Sequence, residues 1–254
     1  MTLARRLQDT GAMTRRCLLY TLRNVDNLIT MLFLPVMIML LFVFVLGGAM
    51  QTGQENYITY ALPGILLLTL GYGAGTTAVS VNIDMQTGIV DRFRSMPIGR
   101  TTLLTGHVLA SVLKNLVSTG VVLGVAFLIG FRPEAGLLDW AGATGILLLY
   151  TLAMTWMAIV FGLAAKTPEG ASAFSYVVLF LPYLSSGFVP TDSMPGPLRV
   201  FATYQPITPI NESVRHLLLG GGSPTTVLVA VAWCAGLSLA AYLLAKRLYN
   251  HRKA

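Results

Sequence analysis

The sequence predicts an all-α membrane protein with six transmembrane helices. Three observations carry this: a composition too apolar for water, six long apolar runs, and a lopsided distribution of basic residues. Of the 254 residues, 55% are hydrophobic and 11% charged, where a soluble domain carries about 25% charged residues. A bilayer core about 30 Å thick takes about 20 helical residues. The runs Leu28–Gly48, Ile58–Val81, Leu103–Gly130, Leu138–Ala165, Ala171–Val189 and Thr225–Ala245 qualify. Only Lys114 and Asp139 bring formal charge into them. Backbone groups in lipid must be satisfied within the element, so the runs are helices.

Six spans return both termini to one side. Arg5, Arg6, Arg15, Arg16 and Arg23 precede the first span, and Arg92, Arg94 and Arg100 follow the second. Lys166 follows the fourth, and Lys246, Arg247, Arg252 and Lys253 end the chain. The other side has Arg132, Arg199 and Arg215 alone. The positive-inside rule then places both termini in the cytoplasm. The net charge of +7 is thus topological, and no nucleic acid is needed to explain it. Cys17 and Cys234 lie in different layers without metal-ligand spacing, which predicts two reduced thiols.

Segment 1–27 interleaves Leu18, Leu19, Leu22 and Val25 with Arg15, Arg16 and Arg23. From Thr14 onward this fits a helix lying in the membrane interface, with residues 1–9 a frayed tail. The first run lies too far from the N-terminus for a cleavable signal peptide. Segment 190–224 is long and rich in proline. Within it Thr208 is placed to cap a helix that Gly220 ends. Ile210, Val214, Leu217 and Leu218 form its apolar face, which predicts an external, re-entrant amphipathic helix.

Between the second and third runs stands "GIVDRFRSMPIGR", residues 88–100. On a helix begun at Asp84, the residues Met85, Ile89, Phe93 and Met96 share an arc of about 80°, with Asp84, Asp91 and Arg94 opposite. Asp84 suits an N-cap and Pro97 a stop. A solvated loop explains the arginines but not the apolar stripe. A lipid-surface helix and a helix docked on a soluble partner both explain the stripe, and periodicity does not separate them.

The polar residues within the spans have plain readings. Lys114 lies about one turn from the inner boundary, so its stem can snorkel to the head groups. His107 and His216 have no ligand-spaced partner and read as interfacial polar groups. Gly71, Gly73, Gly75 and the pair Gly120 and Gly124 allow close helix packing. "GLSL" at 236–239 faintly resembles a membrane-protease serine motif, but no histidine lies in a partnering span, so a hydrolase is discounted. Phe174, Phe180, Tyr183 and Phe188 of the fifth run, with Tyr176, are either bulk packing or the lining of a path for hydrophobic compounds.

The stretch "DMQTGIVDRFRSMPIGR" closely resembles the segment after the second span in permease subunits of type-2 ABC exporters, above all the daunorubicin-resistance-like drug exporters. Residues 32–50 and 181–220 are similar to the first span and to the fifth span with its external return. The resemblance covers nearly the whole chain, as a single permease domain over 1–254. It implies that 82–100 holds a coupling helix seated on a separate ATP-binding subunit. Asp84, Met85, Ile89, Asp91, Arg92, Phe93, Arg94, Met96 and Pro97 would be its contact residues. It implies no cofactor on this chain, with ATP and Mg held by that partner, and agrees with the lack of a GxxxxGK[ST] phosphate loop. It also implies a second permease copy or a sister permease, a hydrophobic drug-, lipid- or natural-product-like substrate, and a bacterial plasma membrane. Val25 stands where the family usually has proline, and Asp84 or Gln86 near where many wider relatives have glutamate. The alternative class is an ATP-independent secondary transporter or channel. Its usual paired intramembrane charges and broken helices are not evident in the sequence.

Overall fold

The computed structural model describes residues 3–49, 56–90, 102–220 and 223–251. Among the described residues the chain is helical and has no strand. Helix α1 (Leu3–Arg23) is followed by α2 (Val25–Leu40), which runs on through a π-helical turn, Leu41–Leu46, and a 3-10 turn, Gly47–Ala49. Then come α3 (Tyr57–Gln86), α4 (Thr102–Ile129), α5 (Leu137–Ala164) and α6 (Pro168–Phe180). The short helices α7 (Gly196–Tyr204) and α8 (Ile207–Leu219) precede α9 (Pro224–His251).

Helix α3 is the hub. It packs against α2, α4, α5, α6 and α8, and its side chains are buried on every face from Tyr57 to Leu70. A helix apolar all round belongs inside a bundle, and this one is. Helices α2, α4 and α9 instead leave wide apolar faces exposed, as at Phe33, Val117 and Leu228. Such faces suit lipid.

Close approach to α3 depends on particular glycines. A Cβ on Gly162 of α5 would stand 2.4 Å from the Ala78 carbonyl oxygen, and one on Gly73 would stand 2.0 Å from Asn115 Oδ1. Gly71 and Gly75 are similarly closed by Val178 and Ser175. Gly120 and Gly124 are a correction: nothing lies within 4 Å of a Cβ on either, because that stripe of α4 faces outward. Gly162→Ala should therefore force α3 and α5 apart and cost about 2 kcal/mol. Gly120→Ala should be neutral or stabilising by up to about 1 kcal/mol. Thermal midpoints of the two variants in detergent compare them directly, and equal midpoints would contradict the packing.

Four further expectations are corrected. Residues 3–9 belong to α1 rather than to a frayed tail. Asp84 does not cap a new helix: α3 continues through it to Gln86, and Thr87 and Gly88 (φ 69°) end the helix. The expected span Ala171–Val189 breaks after α6 into a 3-10 turn, Leu181–Leu184, and a tight turn. Pro182 and the side chain of Gln205, donating to the Leu184 carbonyl at 2.5 Å, end the helix there. Among the described residues, five helices are long and apolar enough by length and composition to cross a membrane. Finally, the amphipathic helix of the 190–224 segment begins at Ile207, so Thr208 lies inside it, and a second helix, α7, precedes it.

Ile210, Val214 and Leu218 of α8 are buried as expected. Arg215, counted by sequence among the three arginines on the external side, is buried too. It donates to the Tyr60 carbonyl at 3.1 Å and the Ser186 carbonyl at 2.7 Å, pairs with Glu212 at 2.6 Å and stacks on Tyr60. That one side chain ties α8 to α3 and to the tight turn.

Candidate functional site: a polar junction under the charged loop

The last two turns of α3, which lead into the charged segment, are held on two sides. On one side Asn82 Nδ2 donates to the carbonyls of Gly162 (3.0 Å) and Ala165 (2.8 Å). Gln86 Nε2 donates to Asn82 Oδ1 and to the Lys166 carbonyl, both at 2.9 Å. These bonds fix α3 to the C-terminal end of α5. On the other side, Asp84 accepts both arms of the Arg16 guanidinium at 2.8 and 2.6 Å, and His107 Nε2 donates to it at 3.0 Å. Cys17 Sγ lies 3.6 Å from His107 Nδ1. One carboxylate thus gathers α1, α3 and α4. The paired carboxylate holds the Arg16 guanidinium above even its usual high pKa, so Arg16 stays charged.

His107 was expected to be a lone interfacial group and is instead buried inside this junction. Lys114 was expected to snorkel. Its side chain turns inward and is 9% exposed, with Nζ 3.4 Å from Thr76 Oγ1. Beyond it the inner face of α4 carries Ser111, Asn115, Ser118 and Thr119, all buried. Ser111 bonds Thr155 of α5 at 2.9 Å. Asn115 Oδ1, Ser118 Oγ and Thr119 Oγ1 find no partner among the described residues. The signal for this polar stripe was in the sequence, since 111, 114, 115, 118 and 119 repeat at helical spacing.

The predicted site residues fall into three groups. Asp84 is buried and bonded to Arg16 and His107, and Met85 packs partly buried against the same end of the bundle. Ile89 follows Gly88 and is half-buried. Asp91, Arg92, Phe93, Arg94, Met96 and Pro97 lie outside the described residues. The four aromatics read as bulk packing or a path lining stand in different surroundings. Phe174 is buried against Phe161 (ring centroids 4.9 Å), and Phe188 between Phe42 (4.4 Å) and Tyr183 (4.8 Å). Phe180 faces outward at 61% exposure. His216 stands beside Glu212 at 3.9 Å.

Helices this apolar, built around a buried hub, define a multi-pass membrane protein in which the end of α3 is held from two sides. The family follows from comparison. Residues 8–219 match the family described as "ABC-2 type transporter", and the chain belongs to that family. It is 29% identical over 229 residues to "Daunorubicin resistance ABC transporter permease protein DrrB1" of Streptomyces coeruleorubidus, covering 90% of this chain and 81% of that one. It is 26% identical over 230 residues to "Probable doxorubicin resistance ABC transporter permease protein DrrC" of Mycobacterium tuberculosis, covering 88% and 82%.

Proposed function

We propose that this chain is the permease subunit of an ATP-driven exporter that moves hydrophobic drug-, lipid- or natural-product-like compounds out of a bacterial cell. The observation that carries the reading is the family match over residues 8–219, together with relatives named for daunorubicin and doxorubicin resistance. In this reading the chain forms a single permease domain in the plasma membrane with both termini cytoplasmic. It pairs with a second copy or a sister permease. ATP and Mg are bound and used on a separate ATP-binding subunit.

The sixth crossing would be made by α6 and the 3-10 turn after it. At about 1.5 Å per α-helical and 2.0 Å per 3-10 residue they rise roughly 28 Å, close to the bilayer core. The coupling segment would be the end of the α3–α4 connection. Ile89, Asp91, Arg92, Phe93, Arg94, Met96 and Pro97 would meet the ATP-binding subunit, with Asp84 and Met85 bracing them from behind. The bonds of Asn82, Gln86 and Asp84 support this reading, because a push on the loop would reach α1, α4 and α5 through short, paired contacts.

Two measurements test it. The purified chain should hydrolyse no ATP alone and should support hydrolysis when reconstituted with the ATP-binding subunit; robust hydrolysis by the isolated chain overturns the reading. In a variant lacking Cys17 and Cys234, a cysteine at Ser193 should label from outside intact cells and one at Gln86 only after permeabilisation. The reverse pattern overturns the orientation.

A further inference from the structure

A narrow cleft lies between α1, α3 and α4, beside the Asp84 junction. Its walls include Arg16, Tyr20, Thr77, Asp84, His107 and Lys114. Lys114 is buried there, and its ammonium has three protons to donate. Its bond to Thr76 is long, and Thr76 Oγ1 itself donates to the Gly73 carbonyl at 2.8 Å. Among the described residues no carboxylate comes within ion-pair distance of Lys114. Asp84, the carboxylate in the cleft, has both oxygens occupied by Arg16 and His107. The cleft therefore holds two basic side chains, Arg16 paired with Asp84 and Lys114 with no carboxylate beside it among the described residues. The hydroxyl of Thr77, 2% exposed, lines the same cleft and has no partner among the described residues.

A buried ammonium without a counter-ion is costly unless something supplies the missing charge. Two inward donors, Thr77 without a partner among the described residues and Lys114 held only by a long bond to Thr76, match an oxyanion that accepts several hydrogen bonds at once. An organic cation would meet Lys114 and Arg16 and be repelled. The surroundings favour an anion carried on an amphiphile. Arg16 and Tyr20 also line an open groove with Leu19 and Arg23, so the mouth is basic. Leu19, Leu109 and Leu113 expose apolar surface along α1 and α4, where acyl chains can lie. Basic pockets between transmembrane helices near the membrane surface are known to take anionic head groups.

We infer that the α1–α3–α4 cleft binds a phosphate group, with Lys114 and Thr77 as its inner donors and Arg16 at its mouth. The phosphate arrives on an acidic phospholipid or as the free ion. The inference needs the chain to lie in a bilayer but not to export anything, so it stands or falls separately from the transport reading.

The full-length chain, purified in a non-ionic detergent, is titrated with dihexanoyl phosphatidic acid, dihexanoyl phosphatidylcholine and inorganic phosphate. Binding is followed by native mass spectrometry and by the thermal midpoint. Saturable binding of phosphatidic acid is expected, about tenfold or more tighter than that of phosphatidylcholine. Lys114→Met should weaken it by about tenfold or more, the scale of a lost charge-assisted hydrogen bond. Lys114→Arg should retain most of it, and Thr77→Val should weaken it several-fold. Lys114→Met should also raise the midpoint of the lipid-free chain, since it removes an uncompensated buried charge. Competition by millimolar inorganic phosphate identifies the phosphate alone as the ligand; its absence with phosphatidic acid still bound identifies the lipid. Equal binding of the two lipids overturns the inference. So does undiminished phosphatidic acid affinity in Lys114→Met or, should that variant not fold, in Thr77→Val.

Discussion

Asp84→Ala is expected to lower the thermal midpoint of the purified chain by several degrees and to loosen α1 from the bundle. The variant leaves the Arg16 guanidinium and the buried His107 ring without their shared acceptor. Breaking a buried ion pair by removing one partner costs about 3–5 kcal/mol. The Arg16 side chain is 34% exposed, so water recovers part of this and about 2–3 kcal/mol is the expected loss. Asp84→Asn, which keeps an acceptor but not the charge, should cost less. Arg16→Ala and Asp84→Ala should be strongly non-additive in a double-mutant cycle, because both sever the same contact. Protease accessibility of α1 gives the second readout: it should rise in Asp84→Ala and Arg16→Ala alike. Unchanged midpoint and unchanged accessibility in Asp84→Ala would mean that the junction does not hold α1.

Phe93→Ala is expected to abolish export while leaving membrane insertion intact. Phe93 is the only aromatic of the stretch 88–100 and lies on its apolar stripe, so it would be the anchor of a docked helix. Truncating such an anchor typically costs about 2 kcal/mol or more, over tenfold in affinity. Single alanine changes at Arg92 and Arg94 should cost less and depend on salt, as rim charges do. Co-purification of the ATP-binding subunit with each variant measures this. Undiminished capture and full export in Phe93→Ala would make the segment a lipid-surface helix and remove its coupling role.

These two residues also show how legible the chain was. That a charged segment interrupts two apolar runs could be read directly from the residues. What precedes it could not. The helix expected to start at Asp84 was read from local periodicity, and periodicity cannot tell a new helix from the last turns of a long one. Asp84, His107 and Arg16 each looked solitary because their partners stand 23 and 68 residues away. Lys114 misled for a related reason. Its distance from the boundary allowed snorkelling, but the face of α4 that carries it is the one turned toward α3.

What the sequence by itself determined was the class of solvent, five of the long apolar helices and their approximate ends. Those follow from hydrophobic run length and the need to satisfy backbone groups within each segment, both of which are local. Only the tertiary structure decided which faces of those helices are buried. α3 is enclosed because its glycines admit Asn115, Ser175 and Val178, whereas Gly120 and Gly124, equally small, face outward. It also decided that a carboxylate, a guanidinium and an imidazole from three helices share one junction, and that Lys114 stands beside it with no carboxylate in ion-pair distance among the described residues. Burial and pairing depend on which helices become neighbours, and in a bundle of uniformly apolar helices that choice is made by shape and by a few polar side chains rather than by hydrophobic pattern.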